Sequence, residues 1–368
     1  MTFVQLFVAL TLAVPVLTAA QSAANKSSPA AKAKLTAIWE PVNVKEDLEL
    51  VSVHFTSADE GWIAGGRPGG SGGIILHTSD GGATWETQLG DPASADAIYK
   101  ELRFLDANTG FALQAGAGGH RLFRTTDGKS WAPAGTVAGH YSDYQFVSPE
   151  IGFVSEGARI VRTSDGGKKW GAVHECRAKV EVQGLTREVQ CDVEKLFFVD
   201  ATTGYAVTRT LGGDAGIALL KTTDGGMKWS PSVVLPGENA KEGALHFFDQ
   251  NSGLVRVVGG KVFRTSDGGQ TWAQVPGEIG GNPDLEFADG QVGWMARYQL
   301  LLYTRDGGKT WISSALTFPA MVNASSLPAR DRGYVVGDHG MVYRYRIVPI
   351  DYTAKGMLTA PVIAPRAP

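Results

Sequence analysis

Apolar and polar residues alternate in short runs along most of this chain. Leu50-Val-Ser-Val-His-Phe55 is one such run, and a period of two marks a strand with one buried face. No sustained helical period occurs outside the N-terminus. The runs recur in a fixed order. An aromatic, five spacer residues, then Gly and an apolar residue appear at Phe55…Gly61-Trp62, Phe104…Gly110-Phe111, Phe146…Gly152-Phe153, Phe198…Gly204-Tyr205, Phe247…Gly253-Leu254 and Phe287…Gly293-Trp294. A seventh copy is Leu327…Gly333-Tyr334. Behind each of the first six comes a second phrase, typified by Thr78-Ser-Asp-Gly-Gly-Ala-Thr-Trp85, with aspartates at Asp80, Asp127, Asp165, Asp224, Asp267 and Asp306. The unit length is about 45 residues, that of a propeller blade.

Each unit predicts strand, turn, strand, Gly-rich turn, strand, Asp phrase, strand. The expected fold is all-β: a single seven-bladed β-propeller of four-stranded blades, a ring without long exposed edges. The last unit stops at Met341-Val-Tyr-Arg-Tyr345 without a fourth strand. Ile38-Trp39-Glu-Pro resembles Thr84-Trp85-Glu-Thr, so the N-terminal strand is expected to close the last blade. Within the phrase, the carboxylate is expected to accept a backbone N–H two residues on, and the glycines supply positive φ. The copy at Asp127 is one residue short, which predicts a different turn there. A calcium loop needs several oxygen ligands. Each phrase offers one carboxylate, so the six aspartates are read as structural.

The phrase is similar to the Asp-box (BNR) repeat of sialidases, sortilin-type receptors and xyloglucanase-type glycosidases. With Gly-Trp-Ile-Ala-Gly-Gly-type segments ahead of each box and Val335-Val-Gly-Asp-His-Gly-Met-Val-Tyr343 at the end, the chain resembles the photosystem II stability/assembly factor family over roughly residues 37–347. That resemblance implies a seven-bladed, exported, non-enzymatic propeller acting on a protein complex. It also implies an arginine patch, whereas the arginines here are scattered. Arg124, Arg162 and Arg264 each precede a box at one repeated position, as expected of a blade surface.

Composition narrows the partners. The 368 residues carry a formal net charge of −3, without the basic stripe a nucleic-acid partner would require. Residues 1–20 hold an apolar run ending in small residues, the pattern of a secretory signal peptide. Residues 21–36 read as a flexible linker, 37–347 as the propeller and 348–368 as a flexible tail. An exported, periplasmic or extracellular protein is expected. The two cysteines, Cys176 and Cys191, lie in a hairpin insertion near 174–193. A hairpin centred on Gln183-Gly184 sets them opposite each other, so a disulfide is expected.

Aligning blades on their glycines places charged and polar residues at alternate positions of each first strand. His54, Arg103, Asp143, Gln145, Lys195, His246, Asp284 and Glu286 are the candidate channel lining and binding site. No catalytic residues, metal or cofactor are assigned, since the seven histidines show no metal-ligand spacing. The expected role is a monomeric binding or assembly module for a protein partner, such as an envelope or membrane complex. The alternative is a glycosidase, which needs two carboxylates across a cleft. Glu101, Asp143, Asp284 and Glu286 could furnish a pair, and a glycan would then be the ligand.

Overall fold

The structure is a computed structural model that describes residues 34–350, except 117, 139, 183–184, 211–215, 237–242 and 279–284. The expected signal peptide 1–20, the expected linker up to residue 33, the expected tail from residue 351, the expected hairpin centre Gln183-Gly184 and Asp284 lie outside the described residues. Strands among the described residues group into seven antiparallel sheets, the expected propeller blades. Blade 1 runs Glu49–Phe55, Gly61–Arg67, Ser71–Thr78 and Glu86–Gly90. Blades 2, 3, 5 and 6 repeat that order. Blade 7 takes Val322–Ala329, Arg332–Gly337 and Val342–Pro349 from late in the chain, and Leu35–Val42 as its outer strand. Leu35 and Thr36, expected in the linker, are therefore part of a strand.

Blade 4 carries an extra strand, Arg177–Val182, hydrogen-bonded to the first part of the long strand Leu185–Phe198. Its register runs from Arg177↔Gln190 to Val182↔Leu185, as the hairpin centre dictates. Cys176 and Cys191 close the base of this hairpin in a disulfide, and both are fully buried.

The recurring aromatic and glycine form the seam between blades. A Cβ on Gly152 would sit 2.7 Å from the Phe146 ring, and one on Gly61 2.3 Å from Phe55. The bare glycine lets the ring lie flat on the backbone. The other face of each ring stacks on the residue after the previous blade's glycine. Centroids are 3.4 Å apart for Phe55 and Tyr334, 3.5 Å for Phe146 and Phe111, and 3.5 Å for Phe247 and Tyr205. The box tryptophan of the same blade meets the ring edge-on, as in Phe146–Trp170 at 6.0 Å. Such pairs contribute about 0.5–1.5 kcal/mol each beyond burial. In blade 7 Trp39 takes the tryptophan's part, 5.3 Å from Trp294 and 5.2 Å from both Phe318 and Tyr345.

The scattered basic residues cover the same seam. Arg124 lies over Phe111 at 5.7 Å, Arg162 over Phe153 at 5.9 Å and Lys221 over Tyr205 at 5.1 Å. Each pairs cross-strand with the aromatic it covers. Arg344 occupies the equivalent place opposite Tyr334 and donates to the Gly81 carbonyl at 2.9 Å.

Every Asp box is a turn, but its hydrogen bonds differ from expectation. Asp80 accepts from the N–H of Thr84, four residues on, at 2.8 Å. Asp165, Asp224, Asp267 and Asp306 do the same. Only the short box bonds two residues on, Lys129 N–H to Asp127 at 2.8 Å. The glycine pair lengthens the turn and moves the nearer N–H away. Thr78 completes the knot: its hydroxyl donates to Asp80 at 2.8 Å and accepts from Gly82 N–H at 2.8 Å. Gly82 has φ 85°, where a side chain would be strained.

Candidate functional site

The seven first strands stand side by side around the axis, so alternate residues of each face a central channel. Two adjoining cavities, each about 380 Å3, occupy it. His54, Arg103, Asp143, Gln145, Lys195, His246 and Glu286 all line the cavity on the side of the Asp boxes. His54, Arg103, Lys195 and Glu286 also line the cavity on the far side, with Ser52, Lys100, Glu101 and Asn323. The structure therefore gathers every described member of the candidate set at one place.

Several of these polar groups tie neighbouring blades together. Ser52 Oγ accepts the N–H of Leu102 at 3.0 Å, and Asp143 Oδ2 accepts that of Leu196 at 3.0 Å. One position further along, Gln145 Oε1 accepts from Phe198 N–H at 2.8 Å and Ser326 Oγ from Phe55 N–H at 3.0 Å. A polar side chain reaching from one blade to the next strand satisfies a backbone donor that would otherwise be buried unpaired.

The charged groups concentrate on one wall. Asp143, only 5% exposed, receives Arg103 at 3.3 Å and has Lys195 at 3.9 Å. Glu101 Oε2 lies 3.8 Å from the same guanidinium, and Tyr141 donates to Glu101 Oε1 at 3.0 Å. Burial pushes the Glu101 carboxyl above its ordinary range. The two histidines sit among aromatic rings. His246 packs 4.9 Å from Phe197 and 4.7 Å from Phe287, while His54 stacks on Phe104 at 5.5 Å. Burial lowers both histidines to about 4, with Arg103 adding to the effect at His54. Both are therefore neutral at neutral pH.

Sequence reasoning missed Phe104, Phe287 and Leu105, which also line the box-side cavity. A signal existed for Leu105: the residue after the seam aromatic is apolar in five of six blades. It also missed the Asp or Ser that opens the following turn, such as Asp106, which accepts the N–H groups of Asn108 and Thr109 at 2.7 and 2.8 Å. No group of three or more His, Cys, Asp or Glu able to hold a metal ion occurs among the described residues.

Comparison with known proteins agrees with this architecture. Residues 31–192 match the family described as photosynthesis system II assembly factor YCF48. The photosystem II assembly protein Ycf48 of Synechococcus sp. (strain JA-2-3B'a(2-13)) is 25% identical, the match covering 71% of this chain and 88% of that protein. A solved structure of YCF48 bound to D1 peptide superposes with a TM-score of 0.58 at 21% identity, over 84% of this chain and 96% of the other. YCF48 from Cyanidioschyzon merolae gives a TM-score of 0.57 at 19% identity, over 84% and 98%. The chain is an Asp-box (BNR) β-propeller resembling the photosystem II assembly factors.

Proposed function

We propose that this protein is a non-enzymatic, exported binding module that assists assembly or stability of a membrane complex, using its channel to engage a polypeptide. Similarity over 88% of the length of a relative named as an assembly protein carries this reading. The D1 peptide bound in the solved relative makes a polypeptide segment the natural class of partner. The channel chemistry supports binding over glycoside cleavage. Asp143 has one oxygen on the Leu196 N–H and the other on Arg103, and Glu101 shares that guanidinium on the same wall. A retaining or inverting pair instead faces itself across the sugar.

Affinity capture from the envelope fraction, comparing the full chain with an Arg103→Ala/Glu286→Gln variant, tests the proposal. A membrane-complex subunit should be recovered by the parent and depleted in the variant. Equal recovery by both would discard the channel as the site. Turnover of fluorogenic glycosides, lost in the same variant, would overturn the non-enzymatic reading.

A further inference from the structure

In blades 1 to 6 the turn after the first strand lies on the box face, since the first box glycine donates to it. Gly81 N–H reaches the Asp59 carbonyl at 2.9 Å, and Gly166 N–H reaches that of Glu150 at 2.9 Å. The residues entering the turns after the first strands are apolar in six blades: Leu105, Val147, Val199, Phe248, Ala288 and Pro328. Leu105 is 39% exposed and lines the cavity, while the others are half-buried. Of these, Val147, Val199, Phe248 and Ala288 pack against the cores between blades, and Phe248 meets the cavity-lining Phe287 edge-on at 4.7 Å. The box-side opening thus carries the exposed Leu105 above a wall that includes Phe104, Phe197 and Phe287, and its charged floor begins at Arg103 and Asp143.

Around that opening the turns carry acidic residues. Asp59, Asp106, Glu150, Asp200 and Asp249 are all exposed there. The basic residues of these turns, Arg330 and Arg332, pair with Asp289 and Asp331, while Arg124, Lys221 and Arg344 lie over or opposite the seam aromatics beside the first box glycines. Backbone N–H groups hold Asp249 below its usual range, and the Gln250 side chain does the same for Asp200, so both stay charged at neutral pH. A cavity of about 380 Å3 admits side chains but not a folded domain.

We propose that the box-side mouth receives a partner polypeptide through one or two large apolar side chains, with flanking lysines or arginines meeting the carboxylates of the surrounding turns. The inference rests on the protein-binding reading above and adds to it a face and a chemistry. Apolar contact supplies the affinity at the centre, and the acidic rim steers and selects.

Fluorescence anisotropy of two labelled peptides, Lys-Lys-Leu-Phe-Leu-Lys-Lys and Glu-Glu-Leu-Phe-Leu-Glu-Glu, against the full chain at low salt tests it. The lysine peptide should bind at least about tenfold more tightly, a preference shrinking with added salt. Leu105→Lys should weaken it by a similar factor, and so should Asp59→Lys combined with Glu150→Lys, while Leu105→Met retains it. Equal binding of both peptides, binding of neither, or indifference to the lysine substitutions overturns the inference. If capture from the envelope still succeeds in that event, only the face and chemistry fall. Loss of capture strikes the binding reading itself.

Discussion

A glycine can be required for room rather than for its backbone angle. Gly253 sits in an ordinary strand, yet a Cβ there would lie 2.6 Å from the Phe247 ring, which stacks on Tyr205. Gly253→Ala is expected to push that ring off its partner and cost about 1–3 kcal/mol, as overpacking generally does; thermal melting would register it. The same reasoning explains what the sequence revealed and what it hid. The spacing Phe…Gly announced a repeat because it recurs, although its physical cause, the seam, needs the neighbouring blade. The box aspartate was legible as a turn, but its acceptor role was misplaced, because the reach to Thr84 depends on how far two left-handed glycines carry the chain. Ser326 offers a second test. Its hydroxyl, 6% exposed, holds Phe55 N–H across the seam between blades 7 and 1. Ser326→Ala should leave that donor unsatisfied, lowering stability by about 1–3 kcal/mol in chemical denaturation.

At the scale of the element, the hairpin on blade 4 is the part most fully readable beforehand. Two cysteines, one glycine break and alternation on both sides define a register, and Arg177↔Gln190 follows from it. Closing a loop of 15 residues stabilises by roughly 3 kcal/mol. Replacing both cysteines by alanine should remove much of that and open the hairpin locally. Hydrogen exchange should then accelerate in 177–190 while blades 1 and 7 keep their protection. The channel strands were legible in a weaker sense. Period two assigned His54, Arg103 and Lys195 to one face, but could not reveal that Asp143 and Gln145 bond the next blade. Nor could it reveal that Arg103, Asp143 and Lys195 meet, since that contact arises only when the ring sets blades 2, 3 and 4 side by side.

For the whole molecule, the buried histidines set a pH dependence. His54 and His246 titrate near 4 when folded, against about 6.5 when exposed. Between those values the unfolded chain binds more protons, so stability rises with pH from about 4 to about 6.5 and that contribution is then complete. Below that window the box carboxylates take over. Asp80 and Asp267 are held at about 2, chiefly by the threonine four residues on, so their contribution is lost as pH falls from about 4 towards 2. His246→Phe, filling the same aromatic site, should flatten the upper part of a melting-temperature profile between about pH 4 and 6.5 and raise the value at pH 5. An unchanged slope would place the sensitivity elsewhere.

The outer strand of blade 7 has a consequence for how the molecule is made. Glu40 meets Arg344 and Arg346 across 304 and 306 residues of sequence. Among the described strands Leu35–Val42 is thus synthesised first while its blade partners are synthesised last, so blade 7 cannot close until the chain is nearly complete. Moving residues 34–42 behind Pro349 in a circular permutant would let synthesis and closure run in the same direction. Refolding should then lose whatever slow phase belongs to the search of one chain end for the other.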